Sequence, residues 1–422
     1  MRALIVDPAL RSRGGHHYNA VLRLQEELSR LGVGQACLAS AYADRSVTDE
    51  LAGQPVFTRS VYGRSYTAAG EFADSVETTS RELAQVLQRQ EEPADLLVVP
   101  CCDQVLALAL ARHLERLRSA ARPHVLLWIL YGPHYKLASD DPTAVGLSGE
   151  CRDAFTRLKA SIGDRGSLRA CCETREMAAF YRALADLEIE VMPGPGLALA
   201  RQARRSSEPG RPPTVMCIGF ANRPKGYRLL PEALDNVLRR RGDVRFLIHG
   251  IVEGSDAADE QAVFDRLRAL GERIAVRQDV LTREAYAALL AQADLLLLPY
   301  DPGVYRSRGS GVFSEARTMG IPVVATAGCA FARPALDDGW GVAIDDYSSD
   351  GVARAVLAAL DRLDELSRRA ARAADGAPDS LSAMLTATVD SIRAERSPVP
   401  GGRLRRFLLR TATSASRVPR RW

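Results

Sequence analysis

Short, continuous apolar runs alternate with helical patterns along most of this chain. "RALIVD" precedes Asn19–Leu31, where Leu22, Leu24, Leu28 and Leu31 recur at helical spacing. "DLLVVP" precedes "QVLALALARHLERL", "VMCIGF" precedes Tyr227–Arg240, and "IAVRQ" precedes Arg283–Gln292. "HVLLWIL", "RFLIHG", "DLLLLPY" and "PVVAT" have the same strand character. Strands apolar throughout are covered on both faces, so this order predicts parallel sheets with helices on either side. The pattern lapses in "ARQARRSSEPGRPP", Ala200–Pro213, which is polar, rich in Arg and Pro, and without periodicity. That reads as a linker near the middle of 422 residues, a length that favours two domains. The expected fold class is α/β: two Rossmann-like, doubly wound halves facing a central cleft. The first half spans 1–199, the linker 200–213, the second half 214–378, a C-terminal helix 379–397 and a basic tail 398–422.

Several function classes are excluded early. No apolar run approaches the length needed to span a bilayer, and Asp7 interrupts the N-terminal one, so it reads as a strand and not a signal peptide. The eight cysteines form no C-x-x-C and sit mostly in or beside apolar segments, which points to buried, reduced thiols. Charge is unevenly shared. Seven arginines and no acid between Pro398 and Trp422 turn a remainder of −3 into the chain's +4. Nucleic acid is not an expected partner, because the body is mildly acidic and lacks basic–aromatic interleaving. The tail intersperses Leu404, Phe407, Leu408 and Leu409 with its arginines, so it either rests on an anionic membrane surface or is simply solvated.

Two loops of the second half carry the chemistry. In "GFANRPKGYRLL", Gly219 allows a tight exit from the strand, and Lys225 stands at the mouth of the expected helix. Free amides and a lysine there suit a phosphate or diphosphate, the alternative being a surface lysine in a turn. In "SRGSGVFSEARTMGIPVVAT", Gly309, Ser310 and Gly311 bring bare amides to a helix start, and Glu315 follows about one turn on. A carboxylate beside phosphates needs a neutral, hydroxyl-bearing partner, which a ribose supplies; the alternative is a solvated helix residue. Neither loop is a dinucleotide fingerprint, since Ser314 stands where a third glycine is needed. Neither is a P-loop.

"GFANRPKGYRLL", "YAALLAQADLLLLPY" and "SGVFSEARTMGIPVVAT", in that order, resemble the C-terminal domain of retaining GT-B glycosyltransferases of family 4. The likeness covers roughly 213–363 well. It extends more weakly to the first half through "RGGHHYNAVLRLQEEL", "DLLVVP", "WILYGPHY" and "RACCETREMAAFY". The resemblance implies that Lys225 contacts a donor diphosphate, that Glu315 binds the donor ribose, and that Ser310 and Gly311 donate from their backbone, flanked by Gly309 and Val312. It implies that Gly15 approaches the diphosphate from across the cleft, with His16 and His17 able to face the same space. It places His134 near the reacting sugar. Two positions depart from the family: its first paired glutamate falls on Ser307, and the arginine usually next to Gly219 is Phe220. Arg223 or Arg308 would then supply the missing positive charge.

The implied activity is transfer of a sugar from a UDP- or GDP-sugar to an acceptor hydroxyl with retention, in polysaccharide, glycolipid or glycoconjugate biosynthesis. His134, Lys225 and Arg223 are the expected catalytic residues. No cofactor or metal is expected, because cations and amides carry the leaving diphosphate. The acceptor, a saccharide or lipid-linked saccharide, is expected on the first-half loops Arg11–Tyr18 and Tyr131–Lys136. The expected location is cytoplasmic, with possible peripheral contact to the inner face of an anionic membrane through 398–422. A nucleotide-sugar isomerase or hydrolase, or a silent binding protein, are the alternatives.

Overall fold

The computed structural model describes residues 1–13, 16–60, 69–90, 92–118, 121–130, 145–162, 167–192, 194, 210–252, 257–375 and 380–396. The first half contains strands β1 (Arg2–Val6), β2 (Gly34–Ser40), β3 (Gly53–Phe57), β4 (Leu96–Pro100), β5 (His124–Ile129), β6 (Leu168–Cys172) and β7 (Ile189–Val191). Its helices are α1 (His16–Arg30), α2 (Arg45–Glu50), α3 (Ala69–Gln88), α4 (Gln104–Arg116), α5 (Val145–Ile162) and α6 (Arg175–Ala185). The second half contributes β8 (Thr214–Ala221), β9 (Arg245–Val252), β10 (Ile274–Arg277), β11 (Leu295–Leu298), β12 (Val323–Thr326) and β13 (Gly341–Ile344). With them come α7 (Leu230–Arg240), α8 (Ala257–Ala269), α9 (Arg283–Leu290), α10 (Gly311–Met319), α11 (Arg333–Asp337), α12 (Ser349–Asp361), α13 (Leu363–Asp375) and α14 (Ser380–Arg396).

Both sheets are parallel throughout. Their orders are β3-β2-β1-β4-β5-β6-β7 and β10-β9-β8-β11-β12-β13. Leu96–Pro100 and Leu295–Leu298 are buried at every position, as expected of central strands covered on both faces. Each sheet therefore has an apolar layer above and below it. One packs Leu4, Leu97, Leu106 and Phe155; another packs Ile5, Val21, Leu126 and Trp128; the second sheet repeats the arrangement. All eight cysteines are free and buried, and burial pushes the Cys37 and Cys217 thiols well up, the latter to about 12.

The two sheets share a winding order, and each reverses direction once, between β1 and β4 and between β8 and β11. Loops leaving the carboxyl ends at such a reversal diverge and leave a crevice. The expected helix over Tyr227–Arg240 begins later than its apolar spacing indicates. Arg223–Lys225 and Tyr227–Leu229 form two 3-10 turns, and the α-helix starts at Leu230 with Pro231 in its first turn. Gly226, in left-handed conformation, forces this break, and its amide is already bonded to Arg223 O. Lys225 is thus held on a turn rather than at an α-helix start.

The C-terminal helix does not stay with the second half. Leu381, Met384, Leu385, Val389 and Ile392 of α14 pack into the layer formed by α1 and β1 of the first half. The chain thus crosses between the domains twice. The tail 398–422 lies outside the described residues.

Candidate active site

The β8 exit and the β11–α10 loop meet on one side of the crevice. Gly219 closes β8 with φ of +130°, and a Cβ there would stand 2.8 Å from Lys225 Nζ. The absent side chain is the space in which the lysine lies. Lys225 Nζ sits 5.6 Å from the centre of the Tyr300 ring, an electrostatically favourable seat for a cation. Burial pulls its pKa down to about 8, opposed by the charge of Glu315 and assisted by that of Arg308. A lysine so placed gains from any anion that enters beside it.

Ser310 caps α10, its side chain accepting from the Phe313 amide at 3.3 Å. The amides of Gly311 and Val312 belong to the same first turn and have no partner within their own helix. A Cβ on Gly311 would touch nothing within 4 Å, so the helix mouth is open. Glu315 lies one turn further in, buried, with the Tyr286 hydroxyl donating to its Oε2. Tyr286 comes from α9, and burial together with Glu315 drives its own pKa well up, so it remains a donor. Lys225, Arg308, the α10 start and Glu315 are thus brought together. Val312 is buried beneath them. Arg223 stands exposed on its turn, where its charge acts on Tyr347, and the charges acting on Lys225 are those of Cys217, Glu315 and Arg308. Of the two candidate arginines, the structure brings Arg308 to the lysine.

The first half contributes the opposite wall. His16 opens α1, and its pKa is held well below the ordinary value by burial, then by His17, Arg308 and Lys225. It therefore lies within reach of the charges of both cations. Gly15 and His134 lie outside the described residues. His17 turns inward, its Nδ1 lying 2.9 Å from Oδ2 of the buried Asp7, which also accepts from Ala9 N at 3.0 Å. His16, His17 and Cys101 bring their ligand atoms within 4.8 Å of one another, a nitrogen–sulfur set of the kind zinc favours.

Sequence reasoning missed Glu173, between β6 and α6. Thr174 beside it caps α6 and donates through Oγ1 to Ser307 O at 2.5 Å, fastening the two domains together at the loop. Ser307 thus meets the first half through its backbone. The signal was available: an acid directly after a buried strand and before a helix cap stands at the ligand edge of a parallel sheet.

Residues 212–362 match the family model described as glycosyl transferases group 1. No curated protein sequence matches the chain. Among solved structures, sucrose-phosphate synthase from Thermosynechococcus elongatus is similar at 13% identity and TM-score 0.65, over 93% of this chain and 99% of the other. Anabaena Alr3699/HepE in complex with UDP and glucose is similar at 15% identity and TM-score 0.61, over 93% and 100%. A putative UDP-N-acetylglucosamine 2-epimerase from Listeria monocytogenes is similar at 14% identity and TM-score 0.59, over 93% and 97%. The pair of parallel-sheet domains is the GT-B fold, and the matched region contains Lys225, Arg308, Ser310, Gly311 and Glu315.

Proposed function

We propose that the chain is a retaining glycosyltransferase, moving a sugar from a UDP- or GDP-sugar to an acceptor hydroxyl. One observation carries this reading: within a group 1 domain, a lysine, an arginine, an open helix start and a buried carboxylate converge on one crevice. The amides of Gly311 and Val312, with Lys225 and Arg308, hold the diphosphate, and Glu315 accepts from the ribose hydroxyls. As the bond from the anomeric carbon to the diphosphate breaks, negative charge grows on the leaving oxygen. Preorganised cations and amides stabilise it there by several kcal/mol. The acceptor oxygen bonds to the anomeric carbon, and its proton passes to the leaving phosphate oxygen. Closure of the two domains keeps water from competing. Lys225 and Arg308 take the part a metal would otherwise play, so transfer should persist after chelation with EDTA.

The acceptor binds to the first domain, where the arginines and histidines of the loop Arg11–Tyr18 favour a saccharide carrying phosphate or a lipid diphosphate. The location in this reading is cytoplasmic, with the basic tail resting on the inner membrane face. No described helix is long and apolar enough to cross a membrane. Vesicle partition with and without 398–422 tests the tail, and equal binding to anionic vesicles removes it from the proposal. Isomerisation of a nucleotide-sugar is the second reading, favoured by the likeness to the Listeria epimerase.

Thermal unfolding over UDP, GDP and their sugar conjugates is the first experiment. A ligand far above its dissociation constant stabilises the protein by about 3–4 kcal/mol. Absence of a shift with every nucleotide would overturn the donor reading, and product analysis with an acceptor then separates transfer from isomerisation.

A further inference from the structure

Glu173 lies between one glycine of each domain. A Cβ on Gly309 would fall 1.3 Å from its Oε2, and a Cβ on Gly194 would fall 2.0 Å from its Oε1. The carboxyl thus fills the space that two absent side chains leave, directly against the loop that leads into α10. Among the described residues it makes no hydrogen bond, and no cation lies within ion-pair distance of it. Burial lifts its pKa to about 7, opposed by the charge of Arg308. The other groups it acts on are the thiols of Cys101, Cys171 and Cys172, each itself shifted up.

Glu315 lies one turn inside α10 and its charge acts on Lys225, while Glu173 lies against Gly309 in the loop before the helix and feels the charge of Arg308. Glu315 and Glu173 therefore flank the start of α10, one within the helix and one against the loop that leads into it. A nucleotide-sugar runs from ribose hydroxyls through two phosphates to sugar hydroxyls. A carboxylate repelled by the phosphates is well suited to either end and to neither phosphate. Ser307, where the resembled family places an acid, offers no carboxylate, and Thr174 ties that residue's carbonyl to the segment bearing Glu173.

We propose that Glu173 reaches across the cleft to accept hydrogen bonds from the hydroxyls of the transferred sugar, so that donor recognition is divided between the two domains. This rests on the nucleotide-sugar reading above. The second domain reads the nucleotide, and the first domain reads the sugar. Gly309 and Gly194 are small because the carboxyl must pass between them.

The test is calorimetric titration of the full chain, wild type and Glu173→Gln and Glu173→Ala, with UDP against UDP-glucose, UDP-galactose and UDP-N-acetylglucosamine, and with GDP against GDP-mannose. For the pair showing the largest gain from the sugar in the wild type, Glu173→Ala should weaken the sugar conjugate at least tenfold. The free diphosphate should stay within twofold. Glu173→Gln, which keeps the shape, should fall between and guards against a folding defect. Between pH 6 and pH 8 the wild-type ratio of the two affinities should rise as the carboxyl ionises, and that of Glu173→Gln should stay flat. Equal losses for both ligands, no loss for either, or no gain from any sugar in the wild type would overturn the assignment. Tighter UDP binding by Glu173→Ala would overturn it as well, since the carboxyl would then merely fill the phosphate seat. If no diphosphate binds the wild type, the donor reading itself falls, which the free diphosphates report independently of the sugar.

Discussion

The exits of β4 and β11 occupy equivalent places beside the reversal of their sheets, yet they are built differently. After β4 the chain needs only Cys101, Cys102 and Asp103 before α4 begins, and Asp103 accepts from the Leu106 amide at 2.9 Å. The acid serves the helix. After β11 the chain runs through Pro299–Ser310 before α10, and it brings Arg308 over the Tyr305 ring at 5.1 Å. There the cap is Ser310, which accepts from the Phe313 amide as Asp103 does from that of Leu106. One winding order therefore supports a short, closed junction in the first half and a long loop in the second.

The comparison breaks most readily at Lys225. Lys225→Ala should weaken UDP or GDP about 100-fold, with little change for the bare nucleoside; calorimetry showing equal losses for both would remove the phosphate contact. Next comes Glu315→Gln. It should cut the preference for a ribonucleotide over its 2′,3′-dideoxy counterpart by about tenfold, since one of the two charged acceptor oxygens becomes an amide donor. Unchanged discrimination would detach Glu315 from the ribose. A smaller effect follows from proton linkage. Lys225 titrates near 8, so it is cationic below that value and loses its charge as pH rises through it. Diphosphate affinity should fall about fivefold from pH 8 to pH 9, and a flat profile would mean the lysine stays charged or stays uninvolved. The smallest effect belongs to the closed junction. Asp103→Ala should lower the unfolding free energy by about 1 kcal/mol and leave nucleotide affinity unchanged. A loss of binding there would erase the contrast between the two exits.

Much of this molecule was legible from local pattern. Continuous apolar strands, a glycine at 219, a lysine six residues on, and Ser310–Gly311 before Glu315 depend on neighbours in sequence, and the structure brings them together. What local pattern did not reveal was contact at long range. The Thr174–Ser307 bond joins residues 133 apart, and no periodicity encodes it. The Tyr286–Glu315 pair needs α9 and α10 to be packed before it exists. The delayed start of α7 had a visible cause in Gly226, but the apolar spacing of Tyr227 and Leu230 masked it. Tyr227 is buried on its 3-10 turn just as it would be on an α-helix.

The return of α14 to the first half has a practical outcome. A fragment cut at the linker would carry its last helix with Leu381, Leu385 and Val389 facing water, while the complementary fragment would bare the surface they cover. Neither piece is a finished unit. Two covalent tethers also limit how the halves can swing, favouring rotation about the line joining both crossings over wide separation. An engineer wishing to exchange sugar specificity between such proteins would need to move the final helix with the first half, although it lies last in the chain.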